Sequence, residues 1–543
     1  WVNGPDGAKK IHGSYPFAEI DNRPAPLSFV KLLLISQIYY FCITNLDAEN
    51  HAANLRFALM GLYNLLLPLK LDWLPVYSCD SELRIGQRVE VNFSGRDYAA
   101  VVIRKSEETP ERGYRVLEVG KVETGLADIS DRELKLWKFI SKYYLCTLGE
   151  VYMAAYPKYK VKSEKSRNSK SDAVAPKTTA RSCGKPVLYR AASRADYYRE
   201  NISGCLADGY SALVLVPEVE FALNLKQELG EEFEAVVYDN ALTAAKKRKL
   251  AEKLRIGEKP MVVIGARSAL FLPFGRLGLV IVDEEQESSY KQPEPAPRYN
   301  GRDVACVLAS IHGAQLVLGT FTPSLESLYN CKIGKYSLVD GGSETDCTVE
   351  VVDINAERRK RGMVGDFSRK LLSRIRKTDG QVSIIRSYST EQSVFEFFEK
   401  EFPEKDPQIL TAQAAKKMAG RCALMAVLNA DSLFDSQDFR SDEKALQLVR
   451  SLSLHSDALV VQCTLPAHPV YSAISDISFE DKLLTERKQF RMPPFTRIVD
   501  IKDRKTGMLV DRKIFKRDAS LSEQKSRLQM QYGALYIIDV DPL

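Results

Sequence analysis

A chain of 543 residues exceeds what one hydrophobic core can organise and is expected to divide into three or four domains. Its hydrophobic fraction of 45% and charged fraction of 27% are those of a folded globular protein and exclude a disordered or fibrous one. The net charge of +6 points mildly to a polyanionic partner and excludes nothing by itself.

In chain order, residues 1–59 carry early Pro, Gly and Asp and then a helical apolar stretch, and match no motif. The run from Phe29 to Ile43 is interrupted by Lys31, Ser36 and Gln37 and is too short to span a bilayer. It starts too far in, without a small-residue cleavage site, to be a signal peptide, so a buried amphipathic helix is expected. From Met60 the segments YNLLLPLKLDWLPVYSC, IGQRVEVNFSGRDYAAVVIRKS and YRVLEVGKVE alternate apolar and polar residues, as short strands of a small β-domain do. The period then changes over 129–157, where Leu134, Trp137, Phe139, Ile140 and Tyr143 are spaced for a compact helical unit. Trp73, Trp137, Tyr143 and Tyr144 are expected in cores.

Residues 158–181, rich in Lys, Arg, Ser and Thr, cannot bury a core and read as a solvated linker, although their charge also suits phosphate tracking. ALVLVPE, AVVYD, MVVIGAR, LGLVIVDEE and AQLVLGT are then short apolar strands between helical segments, which predicts a parallel sheet covered on both faces. VEVVDI, QVSIIRS, ALMAVLNAD and ALVVQC predict a second α/β unit. The ten cysteines (42, 79, 146, 183, 205, 306, 331, 347, 422 and 463) form no CxxC pair and lack the His spacing of a zinc site, so they read as reduced, mostly buried thiols of a cytoplasmic protein.

Chemistry concentrates at residues 262–324. Val280, Ile281 and Val282 form an apolar strand ending in Asp283, Glu284 and Glu285, a tip that can hold hydrated magnesium and orient an attacking water. With PRYNGRDVA and LGTFTPSLES, this stretch resembles the motor lobe of superfamily 2 helicases. RVEVNF, YYLCTLGEV, LVLVPE, GARSALFLPF, VDEEQESSYKQ, PRYNGRDVA, GTFTPSLES, LNADSLFDSQDFRSDEKALQL, RMPPF and the terminal IIDVDP occur in the order of one family. The chain resembles the primosomal protein N-prime (PriA) replication-restart helicases from about Met60 to its end.

The resemblance implies an α/β multidomain fold, two RecA-like helicase lobes preceded by a small β-rich DNA-binding domain and a winged-helix domain. It divides the chain into an unassigned extension (1–59), a domain for the 3′ end of a nascent strand (60–122), a winged helix (123–160), a basic linker (161–184), lobe 1 (185–340), lobe 2 (341–500) and a shortened C-terminal domain (501–543). It also implies a bacterial, cytoplasmic protein of the primosome whose partners are DNA forks, single strands and 3′ ends, together with replication-restart proteins, and no membrane. In the family the lobes couple hydrolysis of ATP with magnesium to 3′ to 5′ unwinding and reload the replicative helicase at stalled forks.

Against that pattern, YRAASRADYY stands where the family has its GxxxxGKT loop. Counting back from LVLVPE, Tyr198 matches the Tyr after that loop, which puts Arg194 at the Lys position and Ala195 at the Thr position. No glycine lies between Lys185 and Ile202, although such a loop needs glycines so that backbone N–H groups can surround phosphates. Lys185 is followed by Pro186 where a hydroxyl is required, so it is not the loop lysine. DEEH has become DEEQ at Gln286, and GSATPS has become GTFTPS with Phe321 in place of a small residue. In lobe 2, RSLSLHSDALVV replaces the arginine-bearing QVAGRAGR, with His455 near an arginine position and Arg450 several residues early. TAQAAKKMAGR keeps Gln413 of the family's GTQMxxKGxDF. The family's zinc-binding cysteines are absent between Val382 and Phe402, so zinc is not expected and no metal site is assigned.

Asp283 and Glu284 are therefore the residual catalytic pair and Arg194 the degenerate phosphate-loop position. DNA-binding candidates, by phosphate contact with little base readout, are Arg267 and Ser268 of GARSA and Thr322 and Ser324 of TPS. Lys291, Arg298, Tyr299 and Arg302 form a basic loop suited to stacking at a fork; alternatively Arg298 and Arg302 pair with Glu294 or Asp303 as surface ions. The run Arg358, Arg359, Lys360 and Arg361 reads as a solvated loop. The leading expectation is a PriA-like protein that binds forked or single-stranded DNA without the ATPase. The alternatives are an active ATP-dependent helicase with a divergent nucleotide site and a folded relic that binds nothing.

Overall fold

The computed structural model describes residues 61–106, 116–156 and 184–542, apart from gaps at 231, 240, 343–344, 387–390, 419, 435–437, 477, 519 and 534. The apolar stretch read at 29–43 and the basic linker at 158–181 lie outside the described residues.

The alternating segments after Met60 form a five-stranded sheet in the order Arg88–Phe93, Arg96–Lys105, Gly61–Leu66, Val76–Cys79, Leu117–Glu118. The hairpin of Arg88–Phe93 and Arg96–Lys105 at the sheet edge reverses through Ser94 (φ 52°) and Gly95 (φ 76°), the left-handed pair that matches strand twist in a two-residue turn. Leu65, Val89, Val91, Ala100 and Val102 bury its apolar side. Trp73, expected in a core, is instead 48% exposed and lies tilted 6.4 Å from Phe93. It falls in the connection between two strands, outside the alternation that faces the core.

The helical unit begins at Asp131–Tyr144, where Ser130 and Glu133 form a reciprocal cap, and continues as Leu148–Ala155, capped in the same way by Thr147 and Glu150. Leu134, Leu136, Trp137, Ile140 and Tyr144 turn inward, with Trp137 stacked 5.5 Å from Tyr152. A Cβ at Gly149 would lie 1.9 Å from the Leu69 carbonyl, so only glycine lets this helix approach the sheet domain. Glu133 also receives the Tyr156 hydroxyl at 2.6 Å and pairs with Arg255 at 3.4 Å, which ties the unit to the first lobe. One apolar cluster runs from Leu66 and Trp137 through Leu215 and Val282 to Val499 and Ile538.

The first α/β lobe is a seven-stranded sheet in the order Ser337–Asp340, Val187–Arg190, Gln315–Thr320, Leu277–Val282, Ser211–Leu215, Val262–Gly265, Ala235–Tyr238. Every pairing in it is parallel. Strands flanked on both sides by other strands and on both faces by helices must be apolar throughout, which is why Leu277–Val282 is wholly buried. The second lobe is a five-stranded parallel sheet, ordered Thr348–Asp353, Ala458–Cys463, Leu424–Val427, Val382–Ile385, Gln408–Leu410. The chain ends in a three-stranded antiparallel sheet of Leu509–Lys516, Thr496–Asp503 and Tyr536–Val540 with the helix Leu521–Tyr532. Its first strand starts at Thr496, a few residues ahead of the boundary expected at 501.

Cys79, Cys146, Cys205, Cys422 and Cys463 are buried, Cys306, Cys331 and Cys347 are partly buried, and all eight are free thiols. No described helix is long and apolar enough to cross a membrane.

Candidate nucleotide site and nucleic-acid interface

In a parallel sheet ligands bind beyond the carboxyl ends of the strands. At that edge the central strand Leu277–Val282 delivers Asp283, whose N–H continues the ladder to the Leu215 carbonyl at 2.9 Å. Glu284 then takes a left-handed conformation (φ 47°), unusual for a residue with a side chain, and the chain turns back, with Glu287 N–H bonded to the Glu284 carbonyl at 2.9 Å. The strand Val187–Arg190, separated from it by Gln315–Thr320, leads through a short connection to the helix Ala195–Ala207, with Arg194 at its cap position.

Arg194 closes the space between these elements. Its Nε donates to Asp283 Oδ1 at 2.8 Å, a second guanidinium nitrogen pairs with Glu284, and the third donates to the Ala191 carbonyl at 3.1 Å. One helical turn later the Tyr198 hydroxyl donates to the same Asp283 oxygen at 2.7 Å. Burial pushes the Asp283 carboxyl upward, whereas Arg194 and the Tyr198 hydrogen bond pull it down. The guanidinium stays protonated throughout, which keeps the cluster ionic.

The backbone of the connection is committed as well. Ala191 N–H bonds to the Thr320 carbonyl at 3.0 Å and Ala192 N–H to the Gly342 carbonyl at 3.1 Å, so neither is free to receive a phosphate. The residues present do not fit a magnesium–nucleotide. The carboxylates that would hold the metal are bridged by one internal cation, and Ala195 brings no hydroxyl. Lys185 sits exposed just before the strand, at the end of the sheet away from the acidic tip. Among the described residues no group of three or more His, Cys, Asp or Glu side chains is arranged to hold a metal ion.

Other parts of the motor-type signature keep their connections. Gln286 donates to Glu284 Oε2 at 2.6 Å and accepts from the Thr320 hydroxyl at 2.6 Å, and Thr320 in turn accepts from the Thr322 N–H at 2.9 Å. The acidic turn and the TFTPS segment are thus hydrogen-bonded although one residue of each has changed. Phe321 is buried. Across the lobes, Lys416 pairs with Glu287 at 2.7 Å, Lys417 pairs with Glu218, and Glu443 accepts the Leu325 N–H at 2.9 Å while pairing with Arg487. Gln413 is exposed. Arg450 is buried against Glu480 at 2.5 Å and the carbonyls of Ala473, Ile474 and Asp476, a structural role far from phosphate chemistry. His455 is near enough to feel both Glu284 and Arg194, but burial holds its imidazole below its usual value and its Nδ1 faces the Gly420 carbonyl at 3.4 Å.

The structure separates the eight DNA-binding candidates. Ser268 is exposed and Arg267 is half-buried, with one Nη enclosed and without a hydrogen-bond partner among the described residues. Thr322 and Ser324 are buried; Ser324 caps the helix Leu325–Lys332 and bonds Glu285 through both its N–H (2.6 Å) and its hydroxyl (2.9 Å). The basic loop is a correction to the sequence expectation, because two of its four members are interior. Lys291 is 2% exposed, held by Asp539 at 2.8 Å and by the Arg298 and Val540 carbonyls. Tyr299 packs edge-on against Phe271, 5.6 Å away, with its hydroxyl on the Arg267 carbonyl. Arg298 pairs with Glu294 and Arg302 with Asp303, each at 3.1 Å, and Arg302 also reaches the buried Glu285 at 3.1 Å. Both arginines are ion-paired as the alternative has it, but as half-buried residues rather than surface ions. The run Arg358–Arg361 is exposed, as expected, but Arg358 and Arg359 close the helix Ile354–Arg359 rather than lie in a loop.

Sequence reasoning missed Tyr198 and the Gln286–Thr320 bridge as members of the site. The signal for Tyr198 was its place four residues after Arg194, which puts both on one helix face.

A parallel sheet with an acidic strand tip, joined through its TPS segment to a second parallel α/β lobe, defines a helicase-type pair of RecA-like lobes. Residues 64–157 match the family model described as 3'DNA-binding domain (3'BD) of PriA. The chain is 32% identical to the Replication restart protein PriA of Rickettsia conorii over 303 residues, 51% of this chain and 46% of that protein. It is 32% identical to the protein of the same name from Treponema pallidum over 337 residues, 55% of this chain and 48% of that protein. Among solved structures it is similar to RecG bound to a three-way DNA junction, at 13% identity and a TM-score of 0.37, covering 68% of this chain and 48% of that one. The chain spans about half the length of the curated relatives it matches. Over that span it is similar to the PriA replication-restart proteins.

Proposed function

We propose that the chain is a PriA-like replication-restart protein of the cytoplasm that binds forked or single-stranded DNA and has lost the ATPase of its motor lobes. The observation that carries the second half is the Arg194 guanidinium spanning Asp283 and Glu284, which replaces both the phosphate-loop lysine and the metal with an internal cation. The first half rests on the match of residues 64–157 to a 3′ DNA-binding domain and on the exposure of Ser268 beside the half-buried Arg267. The lobes act in this reading as a fixed platform, held by ion pairs across their seam, and DNA affinity is independent of nucleotide. ATP and magnesium belong to the family's chemistry and are not assigned here.

The test is binding of the full chain to a labelled fork with a recessed 3′ end, titrated over salt. The expected result is saturable binding whose logarithm falls linearly with the logarithm of salt concentration, as phosphate neutralisation requires. Absence of binding at low salt would leave the relic reading in its place.

A further inference from the structure

A cavity of about 430 Å³ opens where lobe 1, the helical unit and the C-terminal sheet meet. Its volume is that of a small-molecule site. One wall is aromatic: Tyr329, from the helix that Ser324 caps, stands edge-on to Phe495 at 4.9 Å, with both rings partly exposed. The rim is basic. Lys335 and Arg517 line it, both are exposed, and neither has a carboxylate partner among the described residues. Arg517 is steered by a hydrogen bond to the Pro494 carbonyl at 2.9 Å.

The other charged groups have partners inside the protein. Arg497 is paired with Asp541 at 3.1 Å and lies over the Tyr143 ring at 5.7 Å. Asp518, the acidic residue of the lining, accepts from the Ser520 N–H and hydroxyl. The opening therefore keeps a net positive charge, the two unpaired cations Lys335 and Arg517 against the one carboxylate of Asp518. Nothing in the nucleotide site or in the DNA candidates of lobe 1 accounts for this combination.

We propose that this cavity takes one unstacked nucleotide of a single DNA strand, the base against Tyr329 and Phe495 and the flanking phosphates on Lys335 and Arg517. An aromatic wall with unpaired cations at its rim is what sequence-tolerant single-strand binding requires, since every base has a π-face and every nucleotide a phosphate. This inference rests on the DNA-binding reading above and gives that reading a specific seat at the junction of the lobe with the C-terminal sheet.

The test uses the full chain and a thymidine oligonucleotide carrying 2-aminopurine at successive positions. Wild-type protein is expected to change the fluorescence of the probe sharply at one position, and Phe495→Leu to abolish that change and weaken binding about tenfold. Lys335→Ala with Arg517→Ala, both surface changes that leave the melting temperature in place, is expected to reduce the salt slope by about 1.4, two single-strand phosphate contacts. Wild-type protein that binds no DNA overturns the function and the seat together. Wild-type binding with the slope and the fluorescence unaltered by the variants overturns the seat alone, as does equal competition by free thymidine monophosphate.

Discussion

Arg194→Ala is expected to destabilise the first lobe by about 3–5 kcal/mol, the cost of leaving buried carboxylates without their cation. Asp283 and Glu284 share one guanidinium, with Tyr198 as the remaining donor to Asp283, and burial alone pushes the Asp283 carboxyl upward. The companion variant Arg194→Met, Asp283→Asn, Glu284→Gln removes the charges together and is expected to recover most of that loss. Urea unfolding of the three proteins measures this directly. A working nucleotide site reverses the order, since there a cation and two carboxylates are kept apart for phosphate and metal and their joint removal restores nothing.

Arg487→Ala is expected to cost a similar amount, about 3–5 kcal/mol, and to loosen the seam between the lobes. Arg487 pairs with the buried Glu443, whose other oxygen accepts the Leu325 N–H of lobe 1 at 2.9 Å. It also faces Glu326, where burial raises the carboxyl but Arg440, Arg302 and Arg487 together outweigh it and hold it down to about 2. Removing the guanidinium leaves Glu443 without its ion-pair partner at the point where helix Ser441–Leu454 meets helix Leu325–Lys332. Limited proteolysis should then cut between the lobes faster than in wild-type protein, and small-angle scattering should report a larger radius. An unchanged radius with unchanged unfolding would mean that the seam is held elsewhere.

Much of the fold was legible because central parallel strands read as unbroken apolar runs. The strands at Leu277–Val282, Ser211–Leu215 and Ala458–Cys463 coincide with that reading. The two at Val187–Arg190 and Ser337–Asp340 were not legible. The first is four residues long and ends in a charged side chain, and the second is an exposed edge strand whose alternation is short and polar. The position of Arg194 followed from its spacing to Tyr198, but not its partners, which come from a strand 89 residues away along the chain. Charge on a loop says nothing of what faces it: Lys291 and Tyr299 read as surface residues, yet the C-terminal strand brings Asp539 to the first and the turn at Phe271 encloses the second. Long-range pairing of this kind decides which basic residues remain available to DNA.

The most direct measurement is calorimetric titration of ATP with magnesium into the full chain, with and without a saturating fork, alongside phosphate release in the same samples. Closure of the site by Arg194 predicts no saturable heat and no turnover in either condition. Stoichiometric binding with DNA-stimulated phosphate release would contradict it, and would mean that Arg194 leaves Asp283 and Glu284 when nucleotide arrives.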